Sequence, residues 1–194
     1  PSPTHGDTMA LIITGDGGWA GLDRAVAAKL SEQGVPVIGF DALSYFWNKR
    51  TPDETAKDVE ATILHYQAAW HAKKVLLIGY SFGADVMPFV AHRLSPATLA
   101  NVPLMSLIVP SRQATFEFHV AEWAGIDLEH DFPTLPEMQT LNEVKTLCIY
   151  GTEEHDSLCP ALHGSNVTSL SLPGGHHVGG DYDRLVSEIL SAAK

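Results

Sequence analysis

The fold of this chain is decided by one stretch, Lys74-Val-Leu-Leu-Ile-Gly79-Tyr80-Ser81-Phe82-Gly83. The apolar run at 75–78 predicts a buried strand, and the pattern at 84–93 predicts a helix directly after it. Between them lies a G-x-S-x-G sequence. A serine on so sharp a strand-to-helix turn needs small residues two positions before and two after it, because neighbouring backbone approaches closely. The stretch therefore predicts a turn that presents Ser81 at the end of a strand, in preference to a purely structural glycine turn.

Comparable strand and helix patterns alternate on both sides of this stretch. Apolar runs at 9–14, 35–40, 104–109, 146–150 and 167–172 predict five more strands, and helical spacing predicts helices between most of them. Strands that are apolar throughout belong to a parallel sheet that is covered on both faces. The sequence therefore predicts the α/β class, with a mostly parallel sheet and helices on both of its faces.

The length and one irregular segment define the domain organisation. A chain of 194 residues has the size of one domain, so we expect a single domain over residues 1–194. The segment 111–143 breaks the alternation: residues 116–120 alternate like an exposed strand, and prolines follow at 133 and 136. We expect a small insertion over one end of the sheet, which is either a lid or a plain surface feature.

The charge balance excludes some partners. The chain has 12 basic and 23 acidic residues, a formal net charge of -11. Binding to a nucleic-acid backbone requires clustered Lys and Arg, so we expect no nucleic-acid partner. The acidity is compatible with a cationic ligand and equally with a plain acidic surface. No apolar run approaches the roughly 18 residues of a transmembrane span.

The first residues of the chain carry no targeting pattern. Residues 1–6 lack an initiator Met and the basic and then apolar stretch of a signal peptide, so we expect a processed or trimmed chain.

A nucleophilic serine requires a histidine base and an acid that orients it, and both are expected downstream of the serine. The loop after the predicted strand 146–150 carries Asp156, which we choose as the acid, with Glu153 and Glu154 as competitors. The loop after the last strand carries His177, which we favour as the base on its Pro-Gly-x-x-His spacing. His176 is the alternative base.

The serine mechanism also needs two backbone N–H groups that bind an oxyanion. Phe82, which follows the serine, supplies one, and Asp16 or Gly17 in the loop after the first strand supplies the other. A phosphate cradle is a competing interpretation of this loop. It is weaker, because the loop does not read G-x-G-x-x-G and Asp16 would repel a phosphate.

The two cysteines lie on either side of the acid loop. Cys148 precedes the loop and Cys159 follows Asp156. As metal ligands together with His155 or His163 they would be irregularly spaced, so we expect no metal site and no cofactor. They form either a disulfide around the acid loop or two independent buried thiols, and we predict the disulfide if the protein is exported.

Three stretches of the chain carry a family resemblance. They are Thr14-Gly-Asp-Gly-Gly-Trp19, Gly79-Tyr-Ser-Phe-Gly-Ala-Asp-Val86 with Pro88, and Gly174-Gly-His-His-Val-Gly-Gly-Asp-Tyr182. Together they resemble the bacterial virulence protein family called VirJ or AcvB, over nearly the whole chain. The resemblance implies an α/β-hydrolase fold and a periplasmic location beside a type IV secretion system. It also implies hydrolysis of aminoacylated phosphatidylglycerol, mainly the lysyl form, with this lipid and secretion proteins as partners.

Two functional hypotheses follow. The first is a serine esterase in which Ser81 is the nucleophile, His177 the base and Asp156 the orienting acid. The second is a non-catalytic periplasmic adaptor or chaperone that keeps the fold and binds secretion components or their substrates. A nucleophile, an acid and a histidine in the expected chain order favour the enzyme, because an adaptor has no need of them.

Overall fold

The computed structural model describes residues 6–118 and 132–194. Its main sheet has six strands in the order β2-β1-β3-β4-β7-β8, and every neighbouring pair is parallel. The strands are β1 Thr8–Ile13, β2 Val37–Phe40, β3 Lys74–Tyr80, β4 Met105–Ile108, β7 Thr146–Gly151 and β8 Val167–Leu172. The prediction of a mostly parallel sheet is confirmed.

Helices cover both faces of this sheet. They are α1 Gly21–Glu32, α2 Ala42–Tyr45, α3 Pro52–Trp70, α4 Phe82–Arg93, α5 Pro96–Leu99, α6 Thr134–Thr140 and α7 Tyr182–Ala192. Because side chains alternate along a strand, Leu11 of β1 packs into the core on the α3 and α4 side, whereas Ile12 packs into the core under α1 and α7. Burial on both faces explains why the strands read as continuous apolar runs.

The insertion lies between β4 and β7. Its two short strands, β5 Gln113–Ala114 and β6 Phe132–Pro133, pair antiparallel. The predicted exposed strand at 116–120 is wrong for residues 116–118, which form no strand. Phe116 is buried, with its ring 5.8 Å from that of Phe46 and 5.4 Å from that of Phe132. Residues 119 and 120 lie outside the described residues, as does the rest of 119–131 within the segment 111–143 that the lid hypothesis concerns.

Within 6–118 and 132–194, no helix combines the length and the apolar character that crossing a lipid bilayer requires.

A disulfide ties strand β7 to the segment that follows it. Cys148 of β7 is bonded to Cys159, which begins a short 3-10 helix, Cys159–Ala161. The two Cα atoms are 5.4 Å apart and both residues are fully buried. The bond closes the loop in which the sequence predicts the acid, and the chain-entropy model gives such a short loop about 3 kcal/mol of stabilisation.

We predict that protein isolated from an oxidising compartment contains this bond. Mass spectrometry of the unreduced protein should give a mass two hydrogens below that of the reduced protein. Cys148→Ala combined with Cys159→Ala should lower the free energy of unfolding by about 3 kcal/mol in urea titrations. Two alkylatable thiols in the unreduced protein would contradict the prediction.

Candidate active site

Ser81 lies on a strained turn between β3 and α4. Its backbone has φ 50° and ψ -119°, a conformation that non-glycine residues rarely adopt. Its N–H donates to the carbonyl of Ile108 in β4 at 2.9 Å, which fixes the turn against the sheet. A methyl group on Gly79 would clash with the carbonyl of Gly83, and one on Gly83 would clash with the carbonyl of Ile13. The two glycines of the motif are therefore required by close backbone contacts.

The histidine that reaches Ser81 is His176. Its Nε2 lies 2.9 Å from the Oγ of Ser81, whereas the Nδ1 of His177 lies 3.0 Å from the hydroxyl of Tyr80. The expectation that His177 faces Ser81 is thus not what the structure shows, and the alternative His176 occupies that place. The reason is a local turn, in which the N–H of Val178 donates to the carbonyl of Gly175. The two histidines are the central residues of this turn, and their rings contact different partners.

The carboxylate that reaches the histidine is that of Glu154. Its Oε1 lies 3.3 Å from the Nδ1 of His176, while Asp156 is exposed and, among the described residues, makes no ion pair with either histidine. The structure thus places the competitor Glu154, and not the chosen Asp156, beside His176. The N–H of Thr152 donates to Leu172, the last residue of β8, at 2.8 Å, and the N–H of Glu153 donates to Gly174 in the loop after it, at 3.0 Å. These bonds continue the β7–β8 pairing beyond the strands and draw Glu154 beside His176.

The competitor Glu153 is exposed as well. A methyl group on Gly175 would lie 3.9 Å from the Oε2 of Glu153 and 3.8 Å from the Oε1 of Glu154. Two carboxylates therefore line the histidine turn, and Glu154 is the one in ion-pair contact with His176.

The predicted oxyanion donors lie on the two backbone segments beside Ser81. Phe82 is the first residue of α4, so its N–H has no acceptor within the helix. The N–H of Gly18 donates to Gly15 at 3.1 Å, a turn that leaves Asp16 and Gly17 exposed at its centre. A methyl group on Gly15 would lie 3.6 Å from the Cβ of Ser81, so this loop borders the serine. The assignment of Asp16 or Gly17 as the second donor stays a prediction.

An aromatic cluster packs around the side chain of Phe82, the residue after the nucleophile. The ring of Phe82 stacks on that of Phe118 at 4.4 Å and lies 5.0 Å from that of Phe46. The N–H of Phe118 also donates to the carbonyl of Phe46 at 2.9 Å. The insertion thus packs directly on the residue that follows the nucleophile.

A buried carboxyl group lies beneath the loop that borders the serine. Asp23, in the first turn of α1, is 2% exposed, and none of the described residues donates a hydrogen bond to its Oδ1. Burial raises the pKa of Asp23 to about 7, against the opposing effect of a hydrogen bond from the backbone of Gly15 and with a smaller contribution from the charge of Asp41. This carboxyl group therefore holds its proton in mildly acidic solution.

Within residues 6–118 and 132–194, no group of three or more His, Cys, Asp or Glu side chains is arranged to hold a metal ion.

The profile of the family described as "Bacterial virulence protein (VirJ)" matches residues 7–194. The chain belongs to the VirJ family. A search of curated proteins finds no match.

Solved structures similar to this VirJ-family chain share its fold at low sequence identity. A putative hydrolase of the alpha/beta superfamily from Xanthomonas campestris is 15% identical with a TM-score of 0.60, covering 95% of this chain and 98% of that one. An esterase from Pyrococcus furiosus is 14% identical with a TM-score of 0.69, covering 97% and 82%. Est1E from Butyrivibrio proteoclasticus is 12% identical with a TM-score of 0.67, covering 96% and 88%. The α/β-hydrolase fold is therefore established for the chain.

Two residues of the site region, Asp23 and Tyr80, are not among the predicted site residues. Asp23 lies three positions before Val26 and seven before Leu30, on the buried face of α1. This helical spacing indicates a buried position in the sequence itself. The contact of Tyr80 with the histidine turn joins residues 96 and 97 positions apart. No local pattern encodes so distant a contact.

The raised pKa of Asp23 predicts how stability depends on pH. Between about pH 4 and about pH 7 the folded protein keeps a proton on Asp23 that the unfolded chain has lost, so the free energy of unfolding falls as the pH rises. Asparagine has no charge to bury, so the free energy of unfolding of Asp23→Asn should rise relative to that of the wild type by on the order of a few kcal/mol across this range. Urea unfolding at pH 5 and pH 8 measures the gain. A stability difference that is equal at both pH values would contradict the prediction.

Proposed function

We propose that this protein is a serine hydrolase that cleaves carboxylic esters. The observation that carries the proposal is the chain of contacts from Ser81 Oγ to His176 Nε2, at 2.9 Å, and from His176 Nδ1 to Glu154 Oε1, at 3.3 Å. A serine, a base and an orienting acid in contact on a strand-to-helix turn are the parts that acyl transfer requires. Membership of the α/β-hydrolase fold supports the proposal, because the three groups follow β3, β8 and β7 as that fold arranges them.

In the first half of the reaction Ser81 Oγ attacks the ester carbonyl carbon while His176 Nε2 takes the hydroxyl proton. The carboxylate of Glu154, 3.3 Å from Nδ1, favours the tautomer that leaves Nε2 free and stabilises the imidazolium as it forms. The N–H of Phe82, together with that of Asp16 or Gly17, binds the oxyanion. Collapse of the tetrahedral intermediate breaks the ester C–O bond, and His176 gives its proton to the departing alcohol.

In the second half a water molecule replaces the alcohol. His176 takes a proton from this water, whose oxygen attacks the acyl-enzyme carbonyl, and the same N–H donors bind the second oxyanion. Breakdown of this intermediate releases the carboxylic acid and returns the proton to Ser81. The exposure of the His176 side chain, 47%, gives water direct access to the base.

We predict that substitutions of the two adjacent histidines differ in their effect on kcat/KM, and that substitutions of the neighbouring acids do so as well. Ser81→Ala, His176→Ala and Glu154→Gln should each lower kcat/KM for a soluble ester such as p-nitrophenyl acetate by at least about 1,000-fold. His177→Ala should cost far less, and Asp156→Asn, an exposed change outside the contact chain, should stay within about twofold. Thermal unfolding of each variant controls for loss of fold.

Two outcomes would count against this assignment. If Asp156→Asn is the severe change and Glu154→Gln the mild one, the acid is misassigned. If the wild type and Ser81→Ala hydrolyse esters equally, the chain is not a serine hydrolase, and the adaptor hypothesis gains instead.

We further propose that the substrate is an aminoacylated phosphatidylglycerol, mainly the lysyl form. Family membership supports this choice, and two features of the surface agree with it. The net charge of -11 suits an ester that carries ammonium groups, and the exposed Asp16 borders the serine on the loop after β1. An exposed ion pair contributes at most about 1 kcal/mol, so the charge tunes the choice of acyl group and does not determine it alone.

Exposed apolar side chains beside the site support a lipid substrate. Leu43 of α2 is 38% exposed, and its Cβ would lie 3.4 Å from a methyl group on Gly18, in the loop that borders the serine. Trp47 lies two residues after the end of α2 and is 63% exposed, next in the chain to the buried Phe46, whose ring packs against that of Phe82. A tryptophan with one wet and one apolar side suits the interface of a membrane.

We predict that Trp47 matters only when the ester is in a membrane. Trp47→Ala should lower hydrolysis of lysyl-phosphatidylglycerol in vesicles by about 10-fold, because a large apolar group no longer enters the interface, and should leave p-nitrophenyl acetate unaffected. Leu64→Ala is the matched control, since Leu64 is 53% exposed on α3. Equal activity of all three proteins on vesicles would contradict the proposed role of this surface.

We propose the periplasm as the location, with a function linked to virulence and type IV secretion. Family membership supports this, and the bonded cysteines agree with it, because disulfides persist in oxidising compartments such as the bacterial periplasm. Release of the protein from intact cells by osmotic shock, compared with a cytoplasmic marker, tests the location.

A further inference from the structure

Tyr80 connects the nucleophile strand to the turn that carries the histidines. It is the last residue of β3, immediately before Ser81, and is 7% exposed. Its hydroxyl lies 3.0 Å from the Nδ1 of His177 and 3.5 Å from the carbonyl oxygen of His176. Its ring centroid is 5.6 Å from that of His176 and 6.3 Å from that of His177. One buried side chain thus contacts the backbone of one histidine and the ring of the other.

The directions of these hydrogen bonds follow from the groups involved. A carbonyl only accepts, so the hydroxyl of Tyr80 donates to the oxygen of His176; with its proton used there, the phenol oxygen accepts from His177 in the tautomer that carries the proton on Nδ1. Bonds linked in this way polarise one another and strengthen. Burial, followed by the charges of Asp23 and other nearby acidic groups, raises the pKa of Tyr80 above its usual value, so the hydroxyl keeps the proton that it donates.

The histidine turn needs such an anchor because of its sequence. Glycines precede the two histidines at 174 and 175 and follow Val178 at 179 and 180, and three of these four have positive φ. Glycine loses more conformational freedom on folding than any other residue, so this segment is costly to hold in one conformation. Val178, 1% exposed, anchors one end of the turn in the core. The hydroxyl of Tyr80 holds its centre.

The ring of Tyr80 also meets the loop on the other side of the serine. A methyl group on Gly15 would lie 3.2 Å from the ring of Tyr80. Tyr80 therefore packs between the loop that borders the serine and the turn that carries the base, and it directly precedes the nucleophile in the chain.

We propose that Tyr80 and His177 together form a positioning pair that holds His176 in line with Ser81. The proposal rests on the serine hydrolase function above and assigns a role to the second histidine, which the reaction itself does not use. Tyr80 acts through His176 and touches no reacting atom, so its loss should slow turnover without weakening the binding of substrate.

The test removes one hydroxyl group. Tyr80→Phe should lower kcat for p-nitrophenyl acetate by about 10- to 100-fold, because a small misplacement of the base is costly, and KM and the melting temperature should change little. Tyr45→Phe is the matched control, since the hydroxyl of Tyr45 donates to Asp58 at 2.6 Å on the α2–α3 side of the molecule. Its kcat should equal that of the wild type. A Tyr80→Phe enzyme with the kcat of the wild type would overturn the proposal.

A double-mutant cycle tests whether the two residues act as a pair. If His177 acts through Tyr80, the combination of Tyr80→Phe with His177→Ala should lose no more activity than the more severe single variant. Losses that multiply would show independent roles and overturn the pairing. Activity of Ser81→Ala in the same assay separates the levels: an active Ser81→Ala enzyme refutes the hydrolase proposal, whereas an inactive one beside a fully active Tyr80→Phe refutes only this inference.

A spectroscopic readout is independent of activity. In the wild type, ¹⁵N spectra should show the neutral His177 ring protonated at Nδ1, and Tyr80→Phe should shift it to the Nε2–H tautomer that free histidine prefers. The signal is assigned by its loss in His177→Ala. An unchanged His177 tautomer in Tyr80→Phe would contradict a hydrogen bond donated by His177 Nδ1–H to Tyr80.

Discussion

Everything in the candidate site depends on the close approach of the start of α4 to the end of β1. The backbone of Gly83 packs so tightly against the carbonyl of Ile13 that no side chain fits between them, and Gly79 has the same relation to Gly83. This contact forces the chain to turn sharply at Ser81, whose φ of 50° is held by a bond from its N–H to β4. The strain is local and small compared with the burial of the two cores, which is how a fold can sustain it.

The remaining groups reach the serine because parallel strands end at the same edge of the sheet. The acid loop follows β7 and the histidine turn follows β8, and backbone hydrogen bonds between the two continue beyond the strands. The disulfide then returns the acid loop to β7 at Cys148, so Glu154 lies in a segment fixed at both ends. Rigid support of this kind matters because a base must be held within a fraction of an ångström of its partner.

Much of this arrangement could be predicted from the sequence, and the limits have physical causes. The apolar strands, the turn at Ser81 and the loops that carry acid and base follow from local patterns, and the fold-class prediction is confirmed. The choice between neighbours within a loop does not follow from such patterns. Whether His176 or His177 faces Ser81 depends on the turn at Val178 and on the contacts of Tyr80, and the place of Glu154 depends on hydrogen bonds between the segments that follow β7 and β8. Neighbouring acids or histidines in one loop fit the same local pattern, although only one of them faces the site.

The aromatic packing of the insertion shows the same limit. An alternating pattern at 116–118 predicts an exposed strand, yet Phe116 is buried because α4 and the neighbouring phenylalanines offer it a covered site. Tertiary contacts thus override the local pattern.

The most direct test of the account is the reaction of the purified protein with a fluorophosphonate probe, which labels only an activated serine. We predict that the labelled peptide contains Ser81, that His176→Ala slows labelling by orders of magnitude, and that Asp156→Asn is labelled at the rate of the wild type. A wild-type protein that stays unlabelled, or a His176→Ala variant that labels at the wild-type rate, would contradict the claim that Ser81 and His176 form a working catalytic pair.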